Sequence, residues 1–450
     1  MKIVEITPFG WRLPLHSLHW RVPARPQALQ DIAYKEQFDY NTIFYDVFLS
    51  NDERFAVCVG PPLANLQPAI EESTFAAVGA SGHMAPCEKV IDPLDRCTRV
   101  WLALPPNKKD MLIGLGKLGK VVLPIGASYC DLFAGKRVLF TKQKNNQLSW
   151  IADWINLNQT LHDIEAVLLF DNDSTAYSTQ ELLQYLAGRV RLDVLCLVHL
   201  PYPFGPAGGN SCQHLVQANH NRPLPWDSDF LDYGLLEIAH QRFLSDAKEV
   251  IWGDIDEIML SEDGVGISQR LGGSRNGFVT VQGSAIQCVS ASVSLDLEVK
   301  TRRSDISAFF QPPFHTGEMT GSNKWCFSAG GVSSLDQLTV HGIRRVCGAP
   351  MPAAEQGLRF RHFLHVTTGW KDTKRKERPI FDKSRHLFDC AFVKAMAREM
   401  RAMRGYDYPL SDVLAYARSI GACPRPPESP TPPPFVAYDC ALCPFNSGRP

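Results

Sequence analysis

The chain has 450 residues, 45% of them hydrophobic and 21% charged, which is apolar enough for packed cores and excludes a wholly disordered chain. Lys plus Arg number 46 and Asp plus Glu 47, a formal charge of -1 that excludes a protein coating nucleic acid, because counterion release needs a net basic surface. No apolar run reaches the ~18 residues a membrane-spanning helix needs.

At roughly 150 residues per domain, two or three domains are expected. The opening Met1 to Glu5 carries an acid early and lacks a long apolar core, so no secretory signal is expected. The 13 cysteines are irregularly spaced and odd in number, which fits reduced thiols of a cytosolic protein better than a disulfide framework.

The first 130 residues hold short apolar runs separated by Pro, Gly and Asn: Tyr45 to Leu49, Phe55 to Val59, Val100 to Leu104 and Val121 to Ile125. That pattern predicts a β-rich accessory module over 1–130. Beyond it, strands alternate with helices. Arg137 to Thr141 reads as a buried strand, and Leu148 to His162 places Trp150, Ile151, Trp154, Ile155 and Leu161 near helical spacing. Ala166 to Phe170 is a second strand. Ser178 and Glu181 have capping-box spacing and open a helix through Leu186, with Gly188 suited to its C′ position. Leu192 to Leu200 is a third strand, Phe230 to Leu244 a helix and Glu249 to Trp252 a fourth strand. Such alternation predicts an α/β domain over 131–422, with a mostly parallel sheet covered on both faces. Seven prolines in the eleven positions 424–434 predict an extended tail over 423–450.

In sheets of this kind ligands bind beyond the carboxyl ends of the strands. Lys142, Lys144, Asn145 and Asn146 follow the first strand, Asp171, Asn172, Asp173 and Ser174 the second, and Gly253 to Glu257 the fourth. In extended chain, Asp254 and Asp256 point the same way and can face one cation. Hard oxygen donors select Mg²⁺ or Mn²⁺, which can bridge a diphosphate. An isolated Asp-x-Asp is more often a solvated strand end. Here the pair follows a buried strand and shares an edge with a second acidic loop, which favours a site.

From Gly135 to about Arg385 the chain resembles an A-type-fold glycosyltransferase of the family 2 and family 92 kind. The residues that carry the resemblance are TKQKNNQLSWIADWINLNQTLHDIEAVLLFDNDST, then RFLSDAKEVIWGDIDEIML, then Lys324-Trp325, Val340-His341-Gly342 and Phe360 to Phe363. Asn146 stands where the family usually has Glu. The ordered set is specific, although each piece alone is weak.

The resemblance implies a Rossmann-like sheet with helices on both faces and transfer of a sugar from a UDP-sugar donor to a glycan acceptor. It implies that Lys144, Asp171 and Asn172 lie at the nucleotide. Asp254 and Asp256 would hold the metal and the diphosphate, with His341 as a third ligand. Lys324 would lie near phosphate, Trp325 under a sugar and His362 at acceptor or phosphate. The competing readings are surface charge for Lys324, core packing for Trp325 and structural histidines for His341 and His362. An inverting displacement needs a general base on the acceptor side, and Glu318 is the first candidate, with Asp372 and Glu257 as rivals.

Lys371 to Arg378 carries five basic residues in eight, which reads as a solvated face or as a site for an anionic acceptor or lipid head groups. Phe392, Val393, Met396, Met400 and Met403 share one helical face, suited to core packing or to a membrane surface. The absence of a membrane-spanning run suggests a cytoplasmic location, with peripheral membrane contact left open. Cys440 and Cys443 form a single CxxC with no second half, so zinc is not expected. Two rival functions stay open. One is a catalytically silent nucleotide-sugar or glycan-binding protein on the same fold. The other is a metal-dependent phosphoryl or nucleotidyl transferase, which would also use paired aspartates.

Overall fold

The computed structural model describes residues 1–79, 82–106, 110–206, 227–286, 310–311, 321–364, 366, 368 and 387–389. Glu318, Asp372, the basic run at 371–378, the face formed by Phe392 to Met403, the CxxC and the proline-rich tail lie outside them.

The architecture is mixed α/β around one nine-stranded sheet. Its strands in chain order are β1 (Lys2–Ile6), β2 (Arg137–Gln143), β3 (Ala166–Asp171), β4 (Val194–His199), β5 (Glu249–Trp252), β6 (Glu257–Ser261), β7 (Phe278–Ile286), β8 (Gly321–Ser328) and β9 (Ala354–Phe363). They lie side by side in the order β1-β4-β3-β2-β5-β8-β7-β9-β6. The first five are mutually parallel. β8 then runs antiparallel to β5 and to β7, and β6 antiparallel to β9.

Burial on both faces explains why the parallel strands read as continuous apolar runs. Leu139, Val167, Leu169, Leu195, Leu197 and Ile251 face one core, under helix α1 (Leu148–His162) and helix α2 (Thr179–Ala187). Their neighbours Val138, Phe140, Leu168, Phe170, Cys196, Val198 and Val250 face a second core, under helix α3 (Phe230–Ala239). The capping box of α2 forms: Ser178 Oγ accepts from the Glu181 amide at 3.2 Å, and Glu181 Oε2 accepts from the Ser178 amide at 2.7 Å. Gly188 ends that helix with a right-handed φ of -82°, so no left-handed glycine is needed there. Past α3 the helical run continues to Leu244 as one wider π turn, His240–Leu244. Arg242, in that turn, reaches Asp46 Oδ2 at 2.6 Å and the carbonyl of Ala127 at 3.0 Å.

Residues 42–125 are rich in β-strand. One antiparallel sheet holds Asp46–Leu49, Phe55–Gly60, Thr98–Ala103 and Lys89–Pro93, and a second holds Gly119–Pro124, Met111–Gly116, Thr74–Val78 and Met84–Pro86. The first strand of the chain departs from the expected boundary at residue 130. Lys2–Ile6 adds to the edge of the main sheet, parallel to β4. Its pattern of only one buried residue, Ile6, is that of an edge strand and carries no mark of the sheet it joins.

Candidate functional site

The carboxyl ends of β2, β3 and β5 lie on one edge. β5 stops at Trp252, and the next residues fold into a turn closed twice: the Glu257 amide donates to the Asp254 carbonyl at 2.9 Å, and the Asp254 amide donates to Glu257 Oε2 at 2.9 Å. Trp154 of α1 fixes the turn from below, its indole N–H donating to the Glu257 carbonyl at 3.0 Å. The amide of Phe363, at the end of β9, donates to the Asp256 carbonyl at 2.7 Å. The turn thus presents Asp254, Asp256 and Glu257 together. One ligand oxygen from each lies within 4.8 Å of the others, and this is the one cluster of that kind among the described residues.

Cations surround the acids. Lys324 of β8 is buried, 2.6 Å from Asp254 Oδ2 and 3.0 Å from Glu257 Oε2. Lys142 of β2 lies 3.5 Å from Asp254 Oδ1 and 2.5 Å from Asp232 Oδ1 of α3. Both ammoniums sit by the Trp252 ring, 5.3 Å and 5.2 Å from its centroid for Lys142 and Lys324. Burial opposes the charge on Lys324, yet Asp254 and Glu257 outweigh it and push its pKa up to about 12. Burial likewise opposes the charge on Lys142, and Asp232 with Asp254 raises its pKa well beyond the ordinary value. Glu257 shifts upward, chiefly through burial and despite Lys324.

His362, opposite Glu257 in the β6–β9 ladder, places Nε2 3.0 Å from Asp256 Oδ2. It meets the acid turn itself. His341 sits at the tip of a hairpin, Gln337–Thr339 with Gly342–Arg344, and lies outside the acid cluster; its Nδ1 is 3.1 Å from the Asn323 carbonyl.

Three further candidates are engaged in building the edge. Asp171 accepts from the Ser174 amide at 3.0 Å, from Ser174 Oγ at 2.6 Å and from the Gln143 amide group. Asn172 donates to the carbonyls of Leu200 and Tyr202 at 2.7 and 2.9 Å, which ties the end of β4 to that of β3. Trp325 is 0% exposed, so the expectation of a ring under a sugar is corrected to core packing. It stacks on Trp252 at 6.0 Å and 19°, lies beside Phe278 and Phe327, and donates from its indole to the Thr339 carbonyl at 2.8 Å. Lys324 is likewise interior, turned to acids.

Lys144 is exposed. The strand ends at Gln143 and Asn145 adopts a left-handed φ of 55°, so it is Lys142 that reaches the acids. Lys142 was visible in sequence as one of several polar residues after a strand. Asp232 was not, because it lies in the first turn of a helix remote in sequence.

No family model and no curated protein matches the chain. Among solved structures, the chain is similar to the X-ray structure of the mannosyltransferase Ktr4p from S. cerevisiae, with a TM-score of 0.22 and 11% identity over 35% of this chain and 40% of that one. The match spans less than half of that neighbour's length.

With all four ionised, Asp232, Asp254, Asp256 and Glu257 outweigh Lys142 and Lys324 by two negative charges. Hard oxygen donors with that excess fit a divalent cation of the Mg²⁺ or Mn²⁺ type. Among the described residues no helix is long and apolar enough to cross a membrane.

Proposed function

We propose that the chain is a glycosyltransferase that moves a sugar from a nucleotide-sugar, UDP-linked, to a glycan acceptor with inversion at the anomeric carbon. The observation that carries the reading is the convergence of Asp254, Asp256 and Glu257 beyond the carboxyl ends of parallel strands, beside two buried ammoniums. Asp254 and Asp256 would hold Mn²⁺ or Mg²⁺, with His341 as a further ligand from the neighbouring hairpin. The cation supplies charge stabilisation for the leaving diphosphate when bound. Lys142 is the side chain best set to add a second positive charge there, since it lies at the mouth of the acid cluster. His362 orients Asp256 through its Nε2 contact. Gln143, Asp171, Ser174 and Asn172 shape the edge on which a nucleotide would lie, and Lys144 lies exposed beside it. Glu257 is buried against Lys324, which argues against a role as the acceptor-side base and leaves Glu318, with Asp372 as its rival.

The deciding experiment screens UDP-sugars for Mn²⁺-dependent UDP release. Asp256→Asn is expected to remove nearly all turnover while the far-UV spectrum stays the same. Undiminished turnover in that variant, or in EDTA, would refute the metal role. Release of nucleoside monophosphate or pyrophosphate would instead mark nucleotidyl transfer. Binding of UDP-sugar without turnover would mark a silent binding protein.

A further inference from the structure

Asp254 already has company on both oxygens. Its Oδ2 meets Lys324 at 2.6 Å, and its Oδ1 lies 3.5 Å from Lys142. A carboxylate held this way offers little negative potential to an incoming cation, and two ammoniums beside it repel one. Each ammonium also has a second acid to retain: Asp232 at 2.5 Å for Lys142, and Glu257 at 3.0 Å for Lys324. Either lysine can therefore withdraw from Asp254 without being left as an uncompensated buried charge, the outcome that makes broken buried pairs costly. The two lysines differ in access. The Lys142 side chain is 17% exposed and that of Lys324 only 2%, so Lys142 is the one able to meet a ligand.

We infer that Lys142 is a built-in counter-ion for Asp254 that changes partner when the donor binds, so that a divalent cation and a nucleotide diphosphate enter this site interdependently. The inference rests on the reading of Asp254 and Asp256 as a cation and diphosphate site. The cation takes over Asp254, and the diphosphate takes over the ammonium that Asp254 releases. Each group keeps an opposite partner in both states: Asp254 exchanges Lys142 for the cation, and Lys142 exchanges Asp254 for the diphosphate while keeping Asp232. Asp232 serves as a positioning residue, because it holds Lys142 within reach of both states.

The test measures free Mn²⁺ by its EPR signal with the full chain, without and with UDP, after correction for the Mn²⁺–UDP complex in solution. In the wild type, UDP is expected to tighten Mn²⁺ binding about 10-fold or more, and by linkage Mn²⁺ must tighten UDP binding by the same factor. Lys142→Met is expected to tighten Mn²⁺ about 10-fold in the absence of nucleotide and to lose most of that coupling. Lys120→Met removes the same charge from an exposed strand of the β-rich module, Gly119–Pro124, and is expected to stay within about 2-fold of wild type. Asp232→Asn leaves Lys142 with Asp254 as its remaining ion-pair partner and must weaken Mn²⁺ binding, a reading that does not depend on altering the lysine. Equal Mn²⁺ affinity in wild type, Lys142→Met and Asp232→Asn, with binding abolished by Asp256→Asn, would overturn the inference and leave the metal site standing. Failure of the wild type to take up Mn²⁺ even with UDP would overturn both.

Discussion

Trp325 shows how one residue can satisfy a motif and serve a different end. A Lys-Trp pair after the acid turn suggests a cation for phosphate and a ring for sugar. The β8 register instead turns Trp325 into the core between Trp252, Phe278 and Phe327, and Lys324 onto the acids from within. Trp325→Ala should therefore cost about 3–5 kcal/mol of stability, the usual range for removing a buried Trp. Urea unfolding checks this. A variant with an unchanged midpoint and a raised KM for the donor would restore the sugar-stacking role. Asp254 and Asp256 were legible as an acid pair after a buried strand, but a turn closed by the Glu257 amide, rather than the alternation of extended chain, presents them together. Lys142 was legible only as one polar residue after a strand; its meeting with Asp232 was not, because it depends on the placement of β2 beside β5 and of α3 above the sheet, which no local pattern encodes. Asp171 and Asn172 were found as polar strand-end residues. Their bonds to Ser174, Leu200 and Tyr202 follow from how neighbouring strands end, a tertiary matter.

At the scale of elements, the alternating half of the chain was the most legible. Continuous apolar strands, a Trp-rich helix and a capping box each have a local cause, and α1 and β5 have the bounds their residues suggest. The third strand is shorter than its apolar run, Val194–His199: Leu192 and Leu200 flank it, both buried, and the Leu200 amide still donates to the Asp171 carbonyl at 2.8 Å. The role of α1 could not be read locally. Its Trp154 and His162 reach Glu257 and Met259 carbonyls at 3.0 Å each, so the helix that covers the sheet also pins β6 and the acid turn before it. The start of α2 offers a clean test. Ser178→Ala removes an oxygen that accepts from the Glu181 amide and should cost about 1 kcal/mol. The urea midpoint should fall accordingly. An unchanged midpoint would mean that the exposed cap contributes nothing to stability.

For the whole molecule, the decisive feature is that the β-rich module shares a core with the sheet domain. Tyr45, Phe48, Val57 and Val59 of the module pack with Leu231, Leu235 and Ile238 of α3. Two buried ion pairs cross the same boundary, Arg242 to Asp46 at 2.6 Å and Arg99 to Glu237 at 2.7 Å. A chain beginning at residue 131 would expose that apolar face and strand Arg242 and Glu237, and is expected to be insoluble or unfolded by circular dichroism. A soluble, folded fragment would show that the module is dispensable. His240 sits in the π turn at this junction, buried, with Arg99 and Asp336 as its charged neighbours and Gln241 Nε2 3.3 Å from its Nδ1. Burial first, and then the Arg99 charge, depress its pKa from 6.5 to about 4; Asp336 opposes this and loses. Between those values the unfolded chain binds a proton that the native chain refuses, so stability rises with pH across the interval. The contribution is complete above pH 6.5 and is lost as pH falls towards 4, by about 3 kcal/mol in total. Urea midpoints from pH 7.5 to 5 read the effect above the range where ordinary carboxylates titrate. His240→Gln cannot take up the proton and should flatten that part of the curve, whatever its own stability at pH 7.5. A slope between pH 6.5 and 5 that is the same in His240→Gln and wild type would mean that the folded junction accepts the proton, and that Arg99 and burial do not hold His240 neutral.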